Sequence, residues 1–323
     1  MADLLAVKIY EKLQNEMSKV IVGKTDIVKL LVMALISDGH VLLEGVPGVA
    51  KTLIAKSFSK CLGLEFRRIQ LTPDMLPADI TGTFTYNVRD QVFVFREGPV
   101  FANVVLADEI NRAIPKTQSA LLEAMQEKQV TVEGVTKKLP DPFIVLATQN
   151  PVEMQGTYPL PEAQLDRFMF RLIISTPEAD DEIEILRKSS TVDAEDLQSV
   201  VGAKDIIQAR ENTRKEVTAS KEVLNYIVSL MGATRRDTER VMLGASPRAS
   251  VQLLAASKAL AAINGRKYVT PDDVKRLVFP ALNHRILLNP EYVLRTGSVG
   301  RPYDYDALNT IISSALSVVE PPR

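Results

Sequence analysis

The chain has 323 residues, of which 46% are hydrophobic and 24% charged, a composition typical of a soluble globular protein with about two domains. Its net charge of −1 argues against a global electrostatic attraction to nucleic acid or to an anionic membrane. One cysteine excludes an internal disulfide framework, and no apolar run reaches the roughly 20 residues that span a bilayer, so we expect a cytoplasmic protein without a membrane span.

The N-terminal part predicts two amphipathic helices, followed by an alternation of strands and helices. Apolar residues recur at helical spacing over residues 3–18 and 26–36. Short apolar runs then alternate mostly with helical patterns, at 41–44, 66–71, 103–107, 143–147 and 169–174. Because this alternation is typical of a parallel sheet with helices on both faces, we expect an α/β fold.

Two segments interrupt the alternation, and each predicts a β-hairpin. In the segment near 78–100, polar residues separate two β-rich runs, and the segment at 127–141 turns at Glu133-Gly134. Considered locally, these hairpins are either surface decoration or insertions with a function of their own.

The pattern changes after Pro177, where residues 178–323 become mostly helical without a convincing strand. Ser246-Pro247 and Thr270-Pro271 predict helix starts, because Ser and Thr cap helices and Pro favours the first helical position. The Gly- and Pro-containing stretch 296–302 predicts a loop before a final helix. We therefore predict two domains, residues 1–177 and residues 178–323.

The most specific motif is Gly-Val-Pro-Gly-Val-Ala-Lys-Thr at residues 45–52, between a strand-like run and a helical run. A Gly-rich turn of this kind binds nucleotide phosphates through backbone N–H groups and the helix dipole. We expect Lys51 to reach the β- and γ-phosphates and Thr52 to hold Mg²⁺. Ala50 stands where the pattern has glycine, and we expect the turn to survive if that position needs no positive φ. The candidate binding residues are Gly45, Val46, Pro47, Gly48, Val49, Ala50, Lys51, Thr52 and Leu53.

Two later strands end in polar side chains suited to the same chemistry. The run 103–107 is followed by Asp108, a candidate Mg²⁺ ligand through water, and by Glu109, a candidate general base. The run 143–147 leads to Asn150, which we expect to orient the attacking water or contact the γ-phosphate. Alone, the acids also fit a helix cap and the Asn-Pro pair an ordinary turn. Their order behind the phosphate loop favours catalysis.

Two arginines are candidates for stabilising the charge of the transition state. Arg167, in Asp166-Arg167-Phe168, is suited to act on the nucleotide of a neighbouring subunit. Arg171 and Arg112 are competitors for that role. Arg248 begins a predicted helix, from which it is expected to point back across the domain junction at the γ-phosphate.

In this order the motifs resemble those of AAA+ ATPases, and within them the MoxR family. The resemblance extends from residue 20 to about residue 302. Its specific strings are the loop 45–52, Ala-Asp-Glu-Ile-Asn-Arg-Ala at 107–113, Ala-Thr-Gln-Asn-Pro at 147–151, Pro-Glu-Ala-Gln-Leu-Asp-Arg-Phe at 161–168 and Gly-Ala-Ser-Pro-Arg-Ala at 244–249. The second and fourth strings narrow the resemblance to this family.

The resemblance implies an AAA+ P-loop core with a parallel five-stranded sheet, a C-terminal all-helical lid, and binding of ATP with Mg²⁺. The roles that it implies are Lys51 and Thr52 in Walker A, Asp108 and Glu109 in Walker B, Asn150 as sensor 1, Arg167 as arginine finger, Arg248 as sensor 2, and Val22 and Gly23 beside the adenine. The lid is expected to close on the core through Arg248.

The finger role further implies a ring oligomer, typically a hexamer, in which the two hairpins face the pore and touch a protein client. A partner with a von Willebrand factor A domain is implied by the resemblance only. The expected function is therefore ATP hydrolysis that drives chaperone-like remodelling or maturation of protein complexes.

Other functions are less consistent with the sequence. A nucleic-acid motor normally needs a dense basic surface, whereas the first hairpin has the single basic residue Arg89 beside Asp90 and the second only Lys128, Lys137 and Lys138. A magnesium-chelatase-like motor subunit would share the layout. A nucleotide-gated binding module with little turnover is disfavoured, because all the expected catalytic positions are filled.

Overall fold

The computed structural model describes residues 5–150, 156–188, 193–296 and 305–322. We number helices and strands in chain order. The elements up to the last strand of the main sheet are α1 Leu5–Met17, α2 Thr25–Ile36, β1 Val41–Glu44, α3 Lys51–Leu62, β2 Phe66–Gln70, α4 Pro77–Thr81, β3 Gly82–Asn87, β4 Val92–Glu97, β5 Val104–Asp108, α5 Pro115–Glu127, β6 Gln129–Val132, β7 Val135–Lys138, β8 Ile144–Gln149, α6 Glu162–Leu165 and β9 Phe170–Ile173. The remaining elements are α7 Ala179–Lys188, α8 Ala203–Glu216, α9 Lys221–Arg236, β10 Val241–Leu243, α10 Pro247–Ile263, α11 Pro271–Leu282, β11 Leu287–Leu288, α12 Pro290–Thr296 and α13 Tyr305–Val318.

The five predicted core strands form one parallel sheet in the order β2-β5-β8-β1-β9, which confirms the predicted α/β fold. Every residue of β1, β5 and β8 is buried. Strands covered on both faces are apolar without alternation, which is why these runs stand out in the sequence.

Helices cover both faces of the sheet. On β5, Val104 and Leu106 belong to the core shared with α1, α2 and α3, whereas Val105 and Ala107 belong to the core shared with α5. This division follows from the strand geometry, in which successive side chains point to opposite faces.

All carboxyl ends of the five strands lie along one side of the sheet, which we call the carboxyl edge, and their first residues lie along the amino edge. The register aligns the strands closely, with Val41 opposite both Leu146 and Phe170. Residues that directly follow β1, β5 and β8 therefore meet at the carboxyl edge, as expected of open α/β sheets.

Both predicted hairpins are present, as β3–β4 and β6–β7. The β6–β7 turn falls at Glu133 and Gly134, which both have positive φ, as a tight two-residue hairpin turn requires. In β3–β4, Phe84 stacks against Phe95 and Tyr86 against Phe93, each pair with ring centroids 5.3 Å apart.

The two hairpins lie side by side. Strand β3 contacts β6, and the ammonium of Lys137 lies 5.7 Å from the ring centroid of Phe95. The side chains of Val88 and Phe93 are 78% and 69% exposed. The β3–β4 hairpin therefore presents an apolar surface to its surroundings.

The C-terminal part is mostly helical, and Ser246 and Thr270 cap α10 and α11 as predicted. The expectation of no strand was wrong, because β10 pairs with β11 in a small antiparallel sheet. These strands have three and two residues, too few to produce a recognisable alternation. The predicted loop at 296–302 lies outside the described residues except for Thr296, and the domain division at residue 177 stays a prediction.

Candidate functional site

The candidate phosphate loop connects β1 to α3 at the carboxyl edge. Gly45 has no room for a side chain, because a Cβ there would lie 2.5 Å from the carbonyl oxygen of Ile174. Gly48 has a φ of +87° and open space around its Cα. Both glycines are therefore required by the backbone, the first by a close approach and the second by its dihedral angle.

Ala50 adopts the left-handed conformation, with φ 64° and ψ 23°. The condition under which we expected the turn to tolerate alanine is therefore not met, and the loop keeps its shape despite an unfavourable residue. A left-handed conformation costs a residue with a Cβ about 1–2 kcal/mol. This strain lies directly before the first residue of α3.

Lys51 and Thr52 begin α3, so their side chains lie at the positive end of the helix dipole. Nζ of Lys51 donates to the carbonyl oxygens of Gly45, at 2.6 Å, and Val46, at 3.0 Å. The ammonium thus lies across the loop that it is expected to serve. Val46, Pro47, Gly48, Ala50 and Leu53 are exposed around it, whereas Val49 is buried.

Asp108 is the last residue of β5 and is buried to 6% exposure. Its two carboxylate oxygens have different partners. Oδ1 accepts a hydrogen bond from Oγ1 of Thr148 at 2.5 Å, and Oδ2 accepts one from Oγ1 of Thr52 at 3.4 Å. The structure therefore brings the side-chain oxygens of Asp108 and Thr52 together.

This pair fits a magnesium ion. Mg²⁺ prefers oxygen ligands and is commonly held by one or two protein groups together with phosphate oxygens and water. Among the described residues there is no group of three or more His, Cys, Asp or Glu side chains that could hold a metal by themselves. The donors present thus suit an ion bound together with a nucleotide.

Glu109 follows Asp108 and has a left-handed backbone, with φ 57°. Its N–H donates to Oγ1 of Thr148 at 2.8 Å. Its Oε2 accepts from Nε2 of Gln70 at 2.9 Å and lies 2.8 Å from Nε of Arg112. The carboxylate is therefore held at the carboxyl edge by two side chains, next to the phosphate loop.

Asn150 follows β8 and is buried. Strand β8 neighbours β1, and the N–H of Gly45 donates to the carbonyl oxygen of Gln149. The structure thus brings Asn150 to the carboxyl edge, where Lys51, Thr52, Asp108 and Glu109 also lie.

Val22 and Gly23 lie in the loop between α1 and α2. Gly23 has a φ of +68°, and a Cβ there would overlap the carboxylate of Asp181 in α7. The neighbouring Lys24 donates to the carbonyl oxygen of Ser175. Since the adjacent Ile174 contacts Gly45, this loop lies on the same side of the sheet as the phosphate loop.

Arg167 lies at the amino edge of the sheet, opposite the phosphate loop. It precedes β9, and the N–H of Met169 donates to the carbonyl oxygen of His40 just before β1. Nη1 of Arg167 donates to the carbonyl oxygen of Leu122 at 2.6 Å. Arg167 is therefore separated from the phosphate loop of its own chain by the length of the strands.

Arg248 lies beside Arg167 at the amino edge. Its Nη1 is 4.0 Å from Oδ2 of Asp166, and Ser246, the N-cap of α10, donates to the same carboxylate at 2.9 and 3.0 Å. The expectation that Arg248 points at the γ-phosphate bound by its own chain does not agree with this placement.

Asp166 is contacted at the amino edge by Ser246, Arg248 and Arg285. Arg285 donates from Nε to Oδ1 of Asp166 at 2.8 Å and from Nη1 to the carbonyl oxygen of Ala281 at 2.5 Å. Burial lowers the pKa of Arg285 to about 10, although the Asp166 carboxylate opposes this shift. The partners of Arg285 therefore join α11 to the segment that carries Arg167.

The competing arginines have other partners. The side chain of Arg171 is fully buried and pairs with Glu44 at 2.7 Å, so it cannot reach another subunit. Arg112 is bound to Glu109 in the same chain. Arg167, which is partly exposed, remains the better candidate for a role in trans.

Three residues of the carboxyl edge, namely Arg68, Gln70 and Thr148, were missed by the sequence reasoning. Nε and Nη2 of Arg68 donate to Oδ2 of Asp108 at 3.0 and 2.7 Å. A signal was present, since Arg68 and Gln70 occupy alternate positions in a strand-like run. What could not be known was that β2 would pair with β5.

Two family models match this chain, and several known proteins are similar to it. Residues 40–170 match the ATPase family associated with various cellular activities (AAA), and residues 233–297 match the AAA lid domain. The chain is 48% identical to the uncharacterized protein YeaC of Bacillus subtilis, over 87% of both chains. It is 42% identical to the chaperone MoxR1 of Mycobacterium tuberculosis, over 89% of this chain and 78% of that one. Magnesium-chelatase subunits are more distant relatives.

A similar solved structure is a crystal structure from Cytophaga hutchinsonii, described as that of a candidate ATPase. It has a TM-score of 0.87 and 40% sequence identity, and the match covers 99% of this chain and 97% of that one. This match therefore extends across both the nucleotide-binding motifs and the lid. The chain therefore belongs to the MoxR family of AAA+ ATPases.

Proposed function

We propose that this protein binds ATP with Mg²⁺ at the carboxyl edge of its sheet, hydrolyses it, and uses the reaction in a ring oligomer to remodel or mature protein complexes. The observation that carries the ATPase part is the convergence of Lys51, Thr52, Asp108, Glu109 and Asn150 at one edge. Asp108, Glu109 and Asn150 lie at the ends of β5 and β8, and Lys51 and Thr52 begin the helix that follows the neighbouring strand β1. Family membership supports the same activity.

In the proposed mechanism, the backbone N–H groups of residues 45–52 and the first turn of α3 bind the phosphate oxygens. Lys51 exchanges its two carbonyl partners for the β- and γ-phosphates. Asp108 and Thr52 would hold the Mg²⁺ ion, which neutralises phosphate charge when bound. Val22 and Gly23 flank the adenine.

Glu109 is the proposed general base. Its carboxylate accepts a proton from the attacking water, and Asn150 orients that water. Because Gln70 and Arg112 already hold the carboxylate, little reorganisation is needed before the proton is transferred. Ordered partners of this kind are typical of pre-organised catalytic groups.

We further propose that Arg167 and Arg248 both act on the nucleotide of a neighbouring subunit. Their position at the amino edge, opposite the phosphate loop, supports this role. A closed ring, proposed to be a hexamer, satisfies it because each subunit receives the arginines of one neighbour. In this arrangement the lid transmits the nucleotide state between subunits instead of closing on its own site through Arg248.

The client is proposed to be a protein that contacts the β3–β4 and β6–β7 hairpins. The exposed apolar side chains of the first hairpin support a protein client over nucleic acid. A partner with a von Willebrand factor A domain remains part of the proposal through family resemblance, as does a cytoplasmic location. No helix of the described residues is both long and apolar enough to cross a membrane.

Glu109→Gln tests the proposed function. We expect turnover to fall by about 10²–10⁴-fold while ATP binding is kept, because the amide cannot act as a base but fills the same space. ATP turnover and equilibrium binding of a fluorescent ATP analogue measure the two effects. Glu123→Gln, which changes an exposed glutamate of α5, is the matched control. Equal turnover in Glu109→Gln and the natural protein would remove Glu109 as the base.

The trapped Glu109→Gln protein also identifies the client. A nucleotide-dependent ring, observed by sedimentation with ATP, is expected to retain proteins that the nucleotide-free form releases. Persistence of a monomer under all nucleotide conditions would contradict the ring. If the natural protein instead bound DNA and its ATP turnover were stimulated by DNA, a nucleic-acid motor would be favoured.

A further inference from the structure

We propose that Arg68 is a positioning residue that competes with the metal for Oδ2 of Asp108, and that it thereby sets the affinity of the site for Mg²⁺. The inference rests on the proposed function, in which Asp108 and Thr52 hold the ion. It concerns a side chain to which neither the motifs nor the family comparisons assign a role.

The contacts of Asp108 show which oxygen a metal would use. Oδ1 is bound by Thr148 at 2.5 Å, whereas Oδ2 is the oxygen that faces Thr52. Arg68 directs two donors at this same Oδ2, Nε at 3.0 Å and Nη2 at 2.7 Å. A cation held by Asp108 and Thr52, directly or through water, would therefore compete with the guanidinium for Oδ2.

The position of Arg68 follows from strand geometry. In β2, side chains alternate between the two faces, so Arg68 and Gln70 point to one face and Arg67 to the other. Arg67 pairs instead with Glu65, at 2.9 Å. Two adjacent arginines thus lie in different surroundings, and Arg67 is a matched control for Arg68.

Arg68 also connects the two acids of the site. Its Nη2 donates to Oε1 of Gln70 at 2.7 Å, and Nε2 of the same amide donates to Oε2 of Glu109 at 2.9 Å. With its oxygen bound to the guanidinium, the amide of Gln70 must present its NH₂ group to Glu109. Displacement of Arg68 from Asp108 therefore loosens the contact that helps to hold Glu109.

The expected effect is moderate because the side chain of Arg68 is 48% exposed. Exposed ion pairs are weak, and charge-assisted hydrogen bonds add to them. Removing the guanidinium is expected to tighten metal binding about three- to tenfold. Lysine keeps the charge but lacks the planar fork with two donors. The metal affinity of Arg68→Lys is therefore expected to lie between those of Arg68→Met and the natural protein.

The test measures metal binding and not turnover. Mn²⁺, a paramagnetic substitute for Mg²⁺, is titrated into protein saturated with ADP, and free Mn²⁺ is measured by electron paramagnetic resonance. Arg68→Met is expected to bind Mn²⁺ about three- to tenfold more tightly than the natural protein, and Arg67→Met less than about twofold differently. Thermal unfolding of each variant verifies that it is folded, and Arg68→Lys provides the same test if Arg68→Met does not fold.

A double-mutant cycle tests the link through Gln70. Since Gln70 holds Nη2 of Arg68 in place, Gln70→Leu is expected to tighten Mn²⁺ binding in the natural background but not in the Arg68→Met background. Equal effects in both backgrounds would remove this link from the proposal.

The outcomes separate the inference from the proposed function. Unchanged or weaker Mn²⁺ binding in Arg68→Met, or an equal gain in Arg67→Met, would overturn the role of Arg68 while leaving the metal site intact. If the natural protein with ADP bound no Mn²⁺, the proposed function would fail and the inference with it.

Discussion

The guanidinium of Arg171 donates to the carboxylate of Glu44 across 2.7 Å, and the two side chains are 0% and 2% exposed. Glu44 directly precedes the phosphate loop, so a buried ion pair anchors the beginning of that loop to β9. The hydroxyl of Tyr305 donates to the same carboxylate, and burial raises the pKa of this tyrosine, which keeps it protonated. The pair thus connects the phosphate loop to α13.

Arg171→Ala is therefore expected to destabilise the fold. Removing one partner leaves Glu44 as an uncompensated buried charge, which typically costs about 3–5 kcal/mol. Urea denaturation at neutral pH measures the loss. A double variant, Glu44→Gln with Arg171→Met, is expected to lose less because it leaves no unpaired charge. A stable Arg171→Ala protein that had lost only turnover would instead favour Arg171 as the arginine that acts in trans.

Ala50→Gly is expected to stabilise the protein. Glycine removes the cost of the left-handed conformation, which is about 1–2 kcal/mol. Its greater freedom in the unfolded chain opposes this gain and lowers the stability by about 0.4–1 kcal/mol. The free energy of unfolding should therefore rise by up to about 1.6 kcal/mol, as measured by urea denaturation. Ala120→Gly, within α5, is a control that should instead lower it by about 1 kcal/mol. A loss of stability in Ala50→Gly would contradict the strain at this position.

The placement of Arg248 beside Arg167 predicts the result of mixing subunits. Arg167→Ala alone is expected to bind ATP but lose turnover by about 10³–10⁵-fold, and mixing it with Lys51→Ala subunits should partly restore turnover. A mixture of Arg248→Ala with Lys51→Ala subunits is also expected to recover turnover. In that mixture the Lys51→Ala neighbour supplies an intact Arg248. Turnover of the mixed rings measures both effects.

Recovery of Arg167→Ala but not of Arg248→Ala would show that Arg248 serves the nucleotide of its own chain. Full turnover of Arg167→Ala by itself would remove Arg167 as the finger.

His40 predicts a dependence of stability on pH. Its Nδ1 accepts from the N–H of Val145 at 3.0 Å, and its Nε2 lies 3.0 Å from the carbonyl oxygen of Met125, so both ring nitrogens are satisfied in the neutral form. Burial lowers the pKa of His40 from 6.5 to about 4. As the pH falls from about 6.5 to about 4, the unfolded chain binds a proton that the folded protein does not, so stability decreases.

The expected decrease for His40 is about 3 kcal/mol across this range, measured by urea denaturation at several pH values. Burial also lowers the pKa of His284, which adds a loss of the same sign. His40→Gln is expected to be less stable at neutral pH, but its free energy of unfolding is expected to change less as the pH falls. An unchanged pH dependence in His40→Gln would contradict this origin.

Local patterns were sufficient for much of the fold. The strands β1, β5 and β8 are buried on both faces and therefore appear as continuous apolar runs, and Ser246 and Thr270 carry explicit helix-start signals. The pairing of β10 with β11 could not be predicted, because these very short strands are defined by packing between distant segments.

The sequence by itself determined the family, the parallel sheet, the two hairpins and the residue types of the phosphate loop and the acidic strand end. These features depend on local spacing, and local spacing is what a sequence records directly. Only the tertiary structure decided that Arg68 contacts Asp108, that Arg171 is buried against Glu44, and that Arg248 lies with Arg167 at the amino edge. Each of these contacts depends on which strands and helices become neighbours, and that order is set by packing of the whole chain.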